Sequence, residues 1–208
     1  MRHDNGEKLS QKNYIHLIRH GITEANQKNL YYGYSDIPLA EAGVETVNAL
    51  KRAGIYPKPE SAVYYTSGLK RTEQTLSLIY GDVPRVRLDA LKEMFFGEYE
   101  LKSHLDLKGD PYYEAWRKDE SGVLAPPGGE SAKKFKERVK SGFKIILDSH
   151  SEGGEKHSVA VCHGGVICVI MMSCFPDHGS DMFKWIPEPG HGYTITVEKG
   201  LPLSYTSF

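Results

Sequence analysis

Apolar and polar positions follow two rhythms along this chain. Runs rich in β-branched and aromatic residues recur at 14–19 (YIHLIR), 61–67 (SAVYYTS) and 157–162 (HSVAVC) and read as buried strands. Helical spacing of apolar residues marks 39–55 (LAEAGVETVNALKRAGI), ending at Gly54, and 69–81 (LKRTEQTLSLIYG), ending at Gly81. A long amphipathic helix is predicted over 130–150, with its lysines on a solvated face, and a shorter helix over 165–174. Residues 85–90 form a short strand, and 192–198 with 201–208 an antiparallel pair at one edge. Strands alternating with helices predict an α/β fold: three layers, α/β/α, with a mostly parallel central sheet and helices on both faces.

Two stretches depart from this rhythm. Residues 94–129 hold short helical pieces and several breakers, and read as an insertion covering a pocket within a single domain spanning 1–208. The most apolar stretch, 158–175 (SVAVCHGGVICVIMMSCF), is nearly long enough to cross a membrane, but His163 and two glycines interrupt it. A buried strand, a tight turn and a buried helix are expected there, with no membrane span.

Composition narrows the function. The 208 residues suffice for a sizeable core, and 26 basic against 27 acidic side chains leave a net charge of −1. No nucleic-acid partner is expected, and any electropositive site must be local. The three cysteines, Cys162, Cys168 and Cys174, lie close together in an apolar segment and form no C-x-x-C pair. They read as reduced, packed thiols, and with the polar N-terminus they point to a cytoplasmic protein. His16, His104, His150, His157, His178 and His191 show no ligand spacing, and WIPEPGHGY (185–193) reads as a turn.

In an open α/β sheet, ligands collect beyond the C-terminal ends of the strands. Arg19 and His20 end the first strand, Ser67 and Arg71 follow the second, Glu93 follows the short strand, and His163 ends the third. Two guanidinium forks suit a phosphoryl group. A histidine among them can attack phosphorus, and a protonated carboxyl can give the leaving alcohol its proton. Gly21 is expected to let backbone N–H groups approach the phosphate.

These residues carry a resemblance. RHGITEAN (19–26) resembles the RHGxTxxN signature of the histidine phosphatase superfamily, the phosphoglycerate mutase-like fold. SGLKRTEQT (67–75), LKEMFFGEYE (91–100), PPGGES (126–131) and VCHGGVI (161–167) are similar to its later elements, in the expected order. The resemblance implies that His20 is the nucleophile and that Arg19, Arg71 and His163, with Gly164 beside it, hold the phosphate. It implies further donors at Asn26 and Thr23, and a proton donor at Glu93, with Glu98 and Glu100 close by as alternatives. It implies neither metal nor cofactor. Ala40 stands where many relatives carry a helix-capping Thr, and Ile22 where many carry a polar residue.

The family contains phosphatases, mutases and non-catalytic phosphate-recognising modules. Segment 94–129 is short, and its Arg117 stands alone with Lys118 rather than in the basic run that mutases resemble one another in. Phe95, Phe96, Tyr99, Tyr112, Tyr113 and Trp116 predict aromatic walls for an apolar or planar substrate body. The expected activity is hydrolysis of a small phosphomonoester, in a branch resembling broad-specificity and α-ribazole phosphatases. Mutase chemistry and simple phosphate recognition are the alternatives. Aromatic residues near the C-terminus offer a surface for a homodimer.

Overall fold

The sheet is ordered by which strands can be buried on both faces. The computed structural model describes residues 12–150, 156–176 and 182–208; the polar segment 1–11 and His178 lie outside them. Its strands are β1 (Lys12–Arg19), β2 (Val63–Thr66), β3 (Arg85–Arg87), β4 (His157–Cys162), β5 (Gly192–Glu198) and β6 (Leu201–Ser207). They form one sheet in the order β3-β2-β4-β1-β5-β6. The first four neighbours run parallel, whereas β5 is antiparallel to β1 and β6 to β5. The expected edge pair is therefore present, and the sheet is mixed.

The helices are α1 (Glu24–Gln27), α2 (Glu41–Arg52), α3 (Lys70–Tyr80), α4 (His104–Leu107), α5 (Pro111–Arg117), α6 (Ala132–Asp148) and α7 (Gly164–Cys174). Strand alternation divides the core between the two faces. Ala160 and Cys162 of β4 point to the face covered by Val139 and Ile146 of α6 and Ile167 and Ile170 of α7. Val159 and Val161 point to the other, against Val47 of α2 and Leu76 and Ile79 of α3. The apolar 158–175 stretch is thus a strand, a turn and a helix, as expected. Among the described residues no helix is long and apolar enough to cross a membrane. Ala40 does stand at the N-cap of α2 without a side-chain hydrogen bond, a cap worth about 1 kcal/mol.

Two expectations are corrected. Of the six aromatics expected to wall a pocket, Phe96, Tyr99, Tyr113 and Trp116 pack instead on one another, while Tyr112 is exposed and Phe95 lies half-buried against Tyr34. Tyr99, Tyr113 and Leu107 are buried against Tyr31, Phe96 and Trp116, making a small core of their own that steadies α4 and α5. Nor are the C-terminal aromatics an exposed patch: Tyr205 packs its ring on Phe175 and Trp185, and the exposed apolar side chains of β6 are Leu201 and Leu203.

Candidate active site

Register brings the chemistry to one end of the sheet. Ile18 pairs with Val161, and Val161 with Thr66, so the residues just beyond, His20, His163 and Ser67, emerge at the same level. They meet a cavity of about 170 Å³ lined by Arg19, His20, Asn26, Tyr32, Arg71, Glu93, His163, Gly164, Gly165 and Ile186. Pockets that enclose a whole small-molecule ligand run from about 300 Å³ upward. This cavity fits the reacting group and leaves the rest of a ligand outside.

The neighbours of His20 set its tautomer and its charge. Its Nδ1–H donates to the Gly21 carbonyl at 2.7 Å, which leaves the lone pair on Nε2. Burial, then the nearby Arg71 charge and, more weakly, Arg19, hold its pKa well below the ordinary histidine value, against the opposing Gly21 bond. The ring is neutral at neutral pH.

The guanidinium of Arg71 is fully buried. It donates to the carbonyls of Gly33 (2.7 Å) and Ser35 (2.9 Å) and lies 4.7 Å over the Tyr32 ring. Arg19 donates to the Pro187 carbonyl at 2.8 Å, and its buried Nε has no partner. Among the described residues neither arginine pairs with a carboxylate. Buried charges are ordinarily paired, so the buried Arg71, with the half-buried Arg19 beside it on one cavity, suits an anion.

His163 sits 5.1 Å from His20, ring to ring. Its Nδ1 accepts from Arg71 Nε, and its Nε2 lies 2.9 Å from Ser67 Oγ. Ser67 therefore stands behind His163 rather than in the cavity. Burial, followed by the Arg71 charge and His20, holds His163 neutral as well. To donate to an oxyanion from Nδ1 it must gain a proton, which a bound dianion would favour by offsetting the arginines.

Asn26 and Thr23 divide their expected roles. Asn26 Oδ1 accepts from the Thr23 N–H (3.0 Å) and from the Tyr32 hydroxyl (2.8 Å). With the oxygen taken, the Nδ2 donors are what Asn26 offers the cavity. Thr23 is fully buried as the N-cap of α1 and does not line the cavity. Its contribution is to orient Asn26.

Glu93 also lines the cavity. Its Oε1 accepts from the Met94 N–H and its Oε2 from the Gly165 N–H, both at 2.9 Å. The alternatives lie elsewhere. Glu98 is exposed, and Glu100 is consumed by the backbone N–H groups of Gly33, Tyr34, Ser35 and Phe96. Gly165 is the floor under Glu93: a Cβ there would stand 2.4 Å from Oε1. Gly165→Ala is expected to push the carboxylate aside at no cost to folding, because the side chain can swing and alanine favours the helix. A shift of about 1 Å costs up to about 100-fold in rate. Steady-state assays on an alkyl phosphate, beside a melting curve, will read both effects.

The role expected for Gly21 is corrected. Its N–H is taken by Thr75 Oγ1 at 3.0 Å. A Cβ at this position would meet Val47 of α2 at 2.9 Å, so glycine is there to let α2 close on the strand end. Cys162 lies within the sheet, and burial pushes its thiol far above the ordinary range. Sequence reading missed Tyr32, Gly165 and Ile186. The last lies in the 185–193 stretch read as a plain turn, which also supplies the Pro187 carbonyl to Arg19.

The family model described as Histidine phosphatase superfamily (branch 1) matches residues 15–202. An adenosylcobalamin/α-ribazole phosphatase of Salmonella typhimurium is 30% identical over 191 residues, 88% of this chain and 90% of its own. A 2,3-bisphosphoglycerate-dependent phosphoglycerate mutase of Beijerinckia indica is 33% identical over 166 residues, covering 75% of this chain and 78% of its own. Among solved structures, the α-ribazole phosphatase of Shigella flexneri superposes with a TM-score of 0.79 at 27% identity, over 92% of this chain and 94% of that one.

Proposed function

This chain belongs to the histidine phosphatase superfamily, branch 1, and from that premise we propose that it is a phosphomonoesterase working through a phosphohistidine on His20. The observation that carries the reading is a neutral imidazole with a free Nε2 in a cavity lined by two guanidiniums, the buried Arg71 and the half-buried Arg19, neither of which forms an ion pair with a carboxylate among the described residues. The Nε2 lone pair attacks phosphorus in line, the P–O ester bond breaks, and Glu93 gives its proton to the departing alkoxide. Arg19, Arg71 and the Asn26 amide hold the equatorial oxygens as charge spreads over them. Water then enters from the side the alcohol left, Glu93 takes its proton, the N–P bond breaks, and inorganic phosphate leaves a neutral His20.

Hydrolysis is favoured over mutase transfer by what surrounds the cavity. Arg117 sits on α5, near Glu114 at 3.9 Å and over the Tyr113 ring, and does not line the cavity. No second basic group from segment 94–129 lines it either. The α-ribazole phosphatase resemblance makes a nucleoside-like phosphate a first substrate to try. The test is product analysis in EDTA with p-nitrophenyl phosphate and 3-phosphoglycerate. Released inorganic phosphate is the expected result, an isomerised ester would make the chain a mutase, and phosphate binding without turnover would make it a recognition module.

A further inference from the structure

The wall that carries Glu93 is gripped from behind. Arg138, on α6, forms a bidentate pair with Glu130: Nε to Oε1 at 2.9 Å and Nη2 to Oε2 at 2.7 Å. The same guanidinium donates to the carbonyls of Ala90 (3.1 Å), Lys92 (2.9 Å) and Glu93 (3.2 Å). Glu130 reaches the segment as well, its backbone N–H donating to the Phe95 carbonyl at 2.8 Å and its Oε2 accepting from the Phe95 N–H. Gly142 lets α6 lie close, since a Cβ there would stand 2.6 Å from the Ala90 Cβ. Residues 92–96 belong to no helix or strand, so few other bonds define their path. Arg138 does not line the cavity, and both partners are mostly buried, at 21% and 14% side-chain exposure.

We propose that Arg138, locked by Glu130, is a positioning residue for the acid: by holding the backbone of Ala90, Lys92 and Glu93 it sets where the Glu93 carboxylate stands. The inference rests on Glu93 protonating the leaving group, as proposed above. A planar five-donor fork is suited to this work, because it can hold a carboxylate with one edge and several carbonyls with the other. A lysine offers no such plane. The carbonyl of Glu93 is drawn toward α6 while its carboxylate meets Gly165, so a slackened backbone on one side displaces the acid on the other.

Leaving-group dependence separates positioning from plain stability. Expulsion of an alkoxide needs the proton, whereas p-nitrophenolate departs with little help. For Arg138→Met, kcat/KM on glycerol 2-phosphate is expected to fall about 100-fold, and on p-nitrophenyl phosphate only a few-fold. Glu130→Gln should shift the same ratio in the same direction, and Arg138→Lys should restore it in part. Should Arg138→Met fail to fold, Arg138→Lys and Glu130→Gln carry the test. Glu93→Gln is the reference. If it widens the alkyl-to-aryl gap and the Arg138 and Glu130 variants do not, or lower both substrates equally, the clamp is overturned and the acid assignment stands. If Glu93→Gln leaves the ratio unchanged, the acid assignment fails and the clamp with it. Adding Arg138→Met to Glu93→Gln should change the ratio no further, since both act through one carboxylate.

Discussion

His20→Ala is expected to lower the hydrolysis of p-nitrophenyl phosphate by four orders of magnitude or more, a loss of roughly the size seen when a covalent nucleophile is removed. The reason is local. Only Nε2 of this ring offers a lone pair to phosphorus, because Nδ1 is committed to the Gly21 carbonyl. Arg19, Arg71 and Asn26 still line the cavity in the variant, so it should keep binding inorganic phosphate while losing turnover. That contrast distinguishes loss of the nucleophile from loss of the fold. A second readout is the intermediate itself. Wild-type protein quenched during turnover of a labelled ester should carry a phosphoryl group stable to alkali and labile to acid, and His20→Ala should carry none. Turnover surviving in the variant would remove His20 as the nucleophile. Because burial and the two arginines hold His20 neutral, the free enzyme should stay competent into mildly acidic solution rather than fail as an ordinary histidine protonates.

The parts of this site that were legible in the sequence are those tied to strand ends. Arg19, His20 and His163 each follow a β-branched or apolar run, and once such runs pair in parallel their ends coincide, as Arg19 opposite Cys162 illustrates. Arg71 and Glu93 were legible as residues that follow β2 and β3, but their roles came from the motif resemblance, since a cation on a helix or a carboxylate in a loop carries no periodic signal of its own. Tyr32 and Ile186 were not legible at all. They come from irregular segments whose course is set by distant contacts, such as Arg71 donating to the Gly33 and Ser35 carbonyls around Tyr34. Gly21 shows how a local reading misleads: its neighbours suggest an anion, whereas Val47 of α2 explains the missing Cβ. Phe96, Tyr99, Tyr113 and Trp116 mislead in the same way. Composition reports that the rings are present and not whether they face a ligand or, as Tyr99 and Tyr113 do, one another. The four residues of α1 are too few for a helical period, and its Thr23 cap became visible only in the structure.

Unfolding free energy is expected to fall steeply between about pH 6.5 and pH 5, well before the carboxylates titrate. Four buried histidines titrate below their ordinary value. Burial is the first cause in each case, joined by the arginines for His20 and His163, by His157 and His150 for His16, and by Lys156 and His157 for His150. In the unfolded chain they protonate near pH 6.5. The folded protein resists, so below that pH the unfolded state binds more protons and gains at the expense of the fold. Each such group contributes up to about 1.4 kcal/mol per pH unit between its two pKa values. For His16, drawn down to about 4, this amounts to about 2 kcal/mol by pH 5. Glu100 acts in the same sense but lower. Burial pushes it up, and the bonds from Ser35, Phe96 and Tyr34 outweigh burial, so its contribution is present above the ordinary glutamate range and lost below it. Urea unfolding at pH 7.5, 6.5, 5.5 and 5 will measure the slope, and a flat profile over that range would refute the assignment. The two ends of the sheet can then be told apart. His16 bonds Thr194 and His157 away from the cavity, so His16→Gln should flatten the slope by about one proton with phosphate present or absent. Bound phosphate offsets Arg19 and Arg71, and should therefore relieve the contribution of His20 and His163 while leaving that of His16 unchanged.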